Sequence, residues 1–210
     1  MELKTALKYI NYRLTAYTEH DLHSPFMYNF YMELIKNKHP FNDFEKLHTI
    51  RTQLQNDSTT IEVTDFGAGS RKLNSNKRAI NQITKHGIAQ KKQAEFLYRL
   101  INKFNPTNVV ELGTSVGLTS LYLAKANAKS TLYTIEGCPN LFQFSKELFK
   151  ENGIKNIQSI NGNFNDEFPK LLSSLNTLDV LYIDGNHAYK PTMNYFKMAL
   201  EKRNANSIFI

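Results

Sequence analysis

From Gln90 onward the apolar positions follow two alternating spacings. Phe96, Leu97, Leu100, Ile101 and Phe104 recur at helical spacing until Pro106 ends the run. A short apolar run through Val109, Val110 and Leu112 then predicts a strand at 108–112. Behind it come helix 116–127, strand 131–136, helix 140–151 closed by Gly153, strand 157–161, helix 166–174, strand 178–183, helix 191–203 and strand 207–210. Strands separated by whole helices cannot pair as hairpins. The pattern therefore predicts an α/β fold, with about five parallel strands joined by right-handed crossovers.

The first part of the chain reads differently. Leu3, Ala6, Leu7, Ile10 and Leu14 give residues 2–17 an amphipathic helix, with Tyr9, Tyr12 and Tyr17 around it. Ser24 and Pro25 are suited to cap and start a second helix bearing Phe26, Phe30 and Leu34. A third helix follows Pro40 through Phe44, Leu47 and Leu54. Three segments are expected: a helical extension over 1–60, a basic glycine-containing cap over 61–87, and the α/β domain over 88–210. In the cap, Asp65-x-Gly67-x-Gly69 follows an apolar run, as a ligand-binding turn does, but the residues behind it (Arg71 to Arg78) are polar and basic rather than a buried helix. Asp65–Arg78 is read as a loop over the pocket, with Asn74 or Ser75 starting a helix that carries Ile80 and Ile83.

The chemistry is concentrated where strand 108–112 turns into its helix: Glu111-Leu-Gly113-Thr114-Ser115-Val-Gly117. The glycines let backbone pass close to a ligand, and Thr114, Ser115 and the first N–H groups of the helix offer donors. The dinucleotide fingerprint needs glycine at the first, third and sixth positions, where this turn has Gly113, Ser115 and Leu118. Glu111 disfavours a pyrophosphate and favours a ligand carrying a cationic group. In an open parallel sheet ligands sit beyond the carboxyl ends of the strands, and each strand here ends in a candidate. Glu136, at 136 − 113 = 23 residues past Gly113, is spaced to bridge ribose hydroxyls. Asn163 and Phe164 are placed to bond and stack on an adenine. Asp184 ends the fourth strand, and a buried carboxylate there costs free energy unless it is paired. His187 follows three residues later and is the candidate general base. His20 and His23, in a turn with no third ligand, favour a structural reading over a metal site.

Composition changes this picture in one respect. The net charge of +7 is uneven: residues 66–104 carry nine Lys and Arg against one acid, a surplus of 9 − 1 = +8. Such a segment is either a solvated face or a guide for an acidic partner, including RNA, with Phe96 and Tyr98 interleaved. A single cysteine, Cys138, excludes an internal disulfide, and no apolar run reaches the roughly 18 residues of a membrane span. A cytoplasmic protein is expected.

The motif at Glu111–Gly117 resembles the first motif of class I S-adenosylmethionine-dependent methyltransferases, with Ser115 in place of the usual middle glycine. Ile183-Asp184-Gly185-x-His187-x-Tyr189 is similar to the small-molecule O-methyltransferase-like group, and His23-Ser-Pro-Phe26, Asp65–Ser70 and Ser75–Arg78 to uncharacterised bacterial members of that superfamily. The resemblance implies a Rossmann-like sheet in the order 3-2-1-4-5, with strands six and seven missing. It implies S-adenosylmethionine as cofactor, with Glu111, Gly113, Ser115 and Gly117 along its methionine moiety, Glu136 on its ribose, and Asn163 and Phe164 on its adenine. A small-molecule hydroxyl is the implied acceptor; an RNA methyltransferase and a non-catalytic nucleotide sensor are the alternatives. In metal-dependent relatives the acid at the place of Asp184 binds a divalent cation, but their further ligands follow the fifth strand, where this chain stops. The chain is accordingly expected to be a fragment, or to have its last strand covered by a second copy in a homodimer.

Overall fold

In the computed structural model residues 3–16, 18–37, 39–64 and 76–210 are described. The chain divides into two compact units, residues 1–40 and 41–210. The first unit holds α1 (Leu3–Thr15) and α2 (Pro25–Phe30), the latter continued by a single wide turn over Tyr31–Lys36. Ser24 caps α2 by accepting from the Met27 N–H at 3.4 Å. The apolar positions of α1 that give it its helical period, Leu7, Ile10 and Leu14, are exposed.

The second unit opens with α3 (Asn42–Asn56), whose Phe44, Leu47, Ile50 and Leu54 are buried. Two short strands, β1 (Thr60–Glu62) and β2 (Lys77–Ala79), then pair antiparallel, Ile61 opposite Arg78. The sequence reading has no strand here. At three residues each the strands are too short to show a period, and β2 is formed by Lys-Arg-Ala, whose composition argues against a strand. The helix behind, α4, runs Ile80–His86 and so starts later than Asn74 or Ser75. The loop expected over Asp65–Arg78 lies mostly outside the described residues.

Next come α5 (Lys91–Phe104), β3 (Asn108–Leu112), α6 (Leu118–Ala126), β4 (Thr131–Glu136), α7 (Pro139–Glu151), β5 (Ile157–Asn161), α8 (Phe164–Ser174), β6 (Leu178–Ile183), α9 (Tyr189–Leu200) and β7 (Arg203–Phe209). The sheet is parallel throughout, in the order β5-β4-β3-β6-β7, which is the Rossmann-like order expected. Only β7 departs from its expected bounds. Leu178 pairs with Arg203 but Val180 pairs with Ile208, so four residues bulge out of the ladder. Asn204 and Ser207 hold the bulge, Asn204 donating to the Asp179 carboxylate at 2.6 Å and Ser207 to the Leu178 carbonyl at 2.6 Å.

Side chains alternate across a sheet, and this alternation positions the site. Val110, Leu112, Ile135 and Leu181 point to one face, where Phe168, Leu171 and Leu172 of α8 and Tyr195 and Ala199 of α9 complete a core. Glu111 therefore points to the other face, toward α6. Its parallel neighbours in register are Thr134 and Tyr182.

Candidate active site

Two residues beyond each register partner, on the same face, the strands end in Gly113, Glu136 and Asp184. Period two thus carries Glu111, Thr134, Tyr182, Glu136 and Asp184 to one side of three adjacent strands. The turn after β3 is formed as its glycines require. Gly113 has φ +110°, and a side-chain carbon there would lie 2.7 Å from the Asp184 carbonyl oxygen, so β3 and β6 approach at a point only glycine allows. Gly117 has φ +83°, and a side-chain carbon would meet the Phe149 ring at 2.7 Å. Gly117 is therefore accounted for by the packing of α7 against the start of α6. Ser115 is left-handed too, at φ 51°.

Glu136 is held by the turn. Its carboxylate accepts from the Ser115 N–H at 2.7 Å and the Cys138 N–H at 2.9 Å, which fixes its orientation while leaving it partly exposed. Glu111 is different. It is 0% exposed, one oxygen accepts from the hydroxyls of Ser120 and of Thr134 (2.7 Å), and the other has no partner. Burial, helped by the nearby charges of Asp184 and Glu136, pushes its carboxyl up to about 8. Glu136 and Asp184 stand two residues beyond the register partners of Glu111 on the adjacent strands, so Glu111 lies beneath the other two. Thr114 joins the network through its hydroxyl, 2.6 Å from that of Thr134.

Asp184 is half-buried and its carboxyl is raised by desolvation, against which the Tyr182 hydroxyl and His187 favour the charged form. Its N–H donates to the Leu112 carbonyl at 2.9 Å. His187 is exposed on the following loop and shares with Asp184 and Tyr182 a cavity of about 340 Å³. The apolar wall of that cavity is Ile88, Phe96, Leu97 and Ile210. A second cavity of about 150 Å³ lies between Ser115 and Leu141 on one side and Val63, Arg78 and Ile83 on the other.

Asn163 and Phe164 follow the carboxyl end of β5. Asn163 caps α8, its side-chain oxygen accepting from the Asn165 N–H at 2.9 Å. The Phe164 ring packs against Gly185, where a side-chain carbon would stand 2.6 Å from it, and edge-on to Tyr195 at 6.0 Å.

The basic surplus of residues 66–104 is not one solvated face. Arg99 is 9% exposed and lies over the Phe44 ring at 5.7 Å. Tyr98, needed for base stacking on an RNA reading, is 4% exposed and donates to Asp43 at 2.8 Å. For a divalent cation at Asp184, no group of three or more His, Cys, Asp or Glu side chains able to hold a metal ion is present among the described residues. No helix among them is long and apolar enough to cross a membrane.

Sequence reasoning missed Ser120, Thr134 and Tyr182. The last two stand two residues before Glu136 and Asp184, so strand periodicity was the signal that would have found them.

Comparison with known proteins supports the fold. Residues 110–210 match a family model described as a methyltransferase domain. Among solved structures, the chain is similar to the Bacillus cereus O-methyltransferase bound to S-adenosylhomocysteine, with a TM-score of 0.58 and 13% identity over 86% of this chain and 69% of that one. It is also similar to the Streptomyces achromogenes O-methyltransferase TomG, solved with S-adenosylmethionine, with a TM-score of 0.53 and 22% identity over 59% and 56%. The Podospora anserina methyltransferase PaMTH1, bound to S-adenosylhomocysteine, gives 0.53 and 18% over 82% and 71%. The chain spans less than two thirds of the length of some of these relatives, 56% for TomG and 60% for one from Staphylococcus aureus. A search of curated proteins finds no match.

Proposed function

We propose that the chain, whose residues 110–210 match a methyltransferase-domain family model, is an S-adenosylmethionine-dependent methyltransferase acting on the hydroxyl oxygen of a small molecule. One observation carries this reading. The carboxylates of Glu111, Glu136 and Asp184 gather at the carboxyl ends of three neighbouring parallel strands, beside a glycine turn and two cavities. Such a rim suits a nucleoside that carries positive charge and is poorly suited to a pyrophosphate.

The residues fit the donor. Glu136, oriented by two backbone N–H groups at the end of β4, is the acid that meets the ribose hydroxyls. Gly113 and Ser115 line the path past the turn, and the unpartnered oxygen of Glu111 is a buried acceptor beneath it. When bound, S-adenosylmethionine supplies a methyl carbon made electrophilic by its sulfonium. What remains for the chain is alignment, exclusion of water and removal of the acceptor's proton.

The 340 Å³ cavity is the acceptor's place, with Phe96 and Leu97 as an apolar wall and Asp184 and His187 as its polar end. His187 takes the hydroxyl proton, and Asp184, held by Tyr182, stabilises the imidazolium that results. Among the described residues Asp184 belongs to no group able to hold a metal ion, and the chain's own side chains carry each step. Calorimetry with S-adenosylmethionine, followed by label transfer to a panel of small phenols, tests the reading. His187→Ala should bind the cofactor nearly as well as the native chain and lose on the order of 10²- to 10⁴-fold in turnover. An unchanged rate would remove His187 from this role, and failure to bind the cofactor would remove the reading itself.

A further inference from the structure

Both cavities share two residues, His86 and Gly87, and both lie upstream of the matched methyltransferase domain. The local sequence explains why His86 is there. α4 buries Ile80 and Ile83, and Gly87 closes it by donating to the Ile83 carbonyl at 2.7 Å. His86, three residues after Ile83, lies on the same face in the last turn. Ile83 lines the smaller cavity beside Ser115, so His86 stands where that cavity opens toward Asp184 and His187. Ala89, just beyond, is fastened by Arg51, whose guanidinium donates to its carbonyl at 3.0 Å. The wall holding His86 is thereby anchored to α3.

We infer that His86 is a further residue of the site, contacting the acceptor and orienting its hydroxyl where the acceptor cavity meets the smaller cavity beside Ser115. In-line transfer needs the oxygen held at the boundary between the two cavities. His187 lines only the acceptor side, so it reaches the proton without fixing the oxygen's approach. An imidazole at the junction fixes that approach with one hydrogen bond. It also makes the segment before the domain part of the catalytic cleft.

The inference rests on the methyltransferase reading, and the test separates the two. Binding of S-adenosylhomocysteine to the full chain is measured first, by calorimetry. The ring resonances of His86, identified by their loss in His86→Gln, are then followed with S-adenosylhomocysteine alone and with phenol added as acceptor probe. His86→Ala should bind S-adenosylhomocysteine within about twofold of the native chain and lose ten- to hundredfold in kcat. His86→Gln, which keeps a hydrogen-bonding group, should recover part of that loss. Added phenol should move the His86 resonances. If S-adenosylhomocysteine binds but phenol leaves those resonances in place, or if His86→Ala turns over at the native rate, this inference is overturned and the methyltransferase reading stands. If S-adenosylhomocysteine does not bind, both fall together.

Discussion

Replacing Glu111 by Gln isolates the most perturbed carboxyl of the site. Its ordinary value is 4.5, and burial raises it to about 8 in the folded chain. Between those limits the unfolded chain has released a proton that the folded chain still holds. The unfolded state then binds fewer protons, the slope of stability against pH is negative, and the fold weakens as pH rises through the window. The window is 8 − 4.5 = 3.5 units, and at about 1.4 kcal/mol per unit the full loss is on the order of 5 kcal/mol. Glu111 is 0% exposed, so solvent screening takes little from that figure. Gln keeps the shape and one acceptor for Ser120 and Thr134 but never becomes charged. The variant should therefore match the native chain near pH 5 and exceed it by several kcal/mol near pH 8. The chain has no tryptophan, so urea unfolding is best followed by far-ultraviolet circular dichroism, at half-unit steps from pH 5 to 8.5. Parallel curves for the two proteins would show that Glu111 is ionised across the range, and the reasoning from its burial would fail.

Other perturbations follow from the same geometry. A cationic ligand above Glu111 favours its ionised form, so S-adenosylmethionine binding at pH 7 should release up to one proton; apparent enthalpies that do not change with the buffer's ionisation enthalpy would contradict this. Glu136→Gln leaves one of the Ser115 and Cys138 N–H groups facing an amide N–H, and should weaken cofactor binding by about 2 kcal/mol in calorimetry. Gly113→Ala places a carbon 2.7 Å from the Asp184 carbonyl at φ +110°, and should cost about 3 kcal/mol of stability by thermal melting, where an unchanged Tm would refute the close approach.

The alternation of strands and helices from residue 108 onward was legible because the central strand β3 is buried on both faces, and α7, α8 and α9 each bury only some of their positions. Those signals are long and local, and β3, β4, β5 and β6 have the expected bounds. The ends of β4 and β6 were legible for a related reason. An acid that closes an apolar run is conspicuous, and Glu136 and Asp184 do stand at the ends of the two strands that flank β3. What the motif could not convey was depth: Glu111 reads as a rim residue, yet Ser120 and Thr134 bury it beneath the rim. Asn163 and Phe164 follow a strand as ligand contacts do, and the sequence did not show that the one also caps α8 and the other packs edge-on to Tyr195.

The part least visible in the sequence is the wall facing the glycine turn. β1 and β2 are three residues each, the second of them basic, and exist through contacts with residues far along the chain. Asn140 donates to the Glu62 carbonyl at 2.8 Å, and the Thr64 N–H points to the Cys138 sulfur at 3.4 Å. Those partners follow Glu136 directly, and Cys138 also donates to its carboxylate. The strand pair is thus tied to the backbone that orients the ribose-facing acid, and it places Val63 and Arg78 opposite Ser115. A hairpin of six paired residues has little stability by itself. Its persistence depends on the turn it faces, so loosening the turn at Gly113 should also loosen β1 and β2. Faster amide exchange at Val63, whose N–H donates to the Asn76 carbonyl at 2.6 Å, would report that coupling in Gly113→Ala; exchange at the native rate would show the hairpin to be held independently.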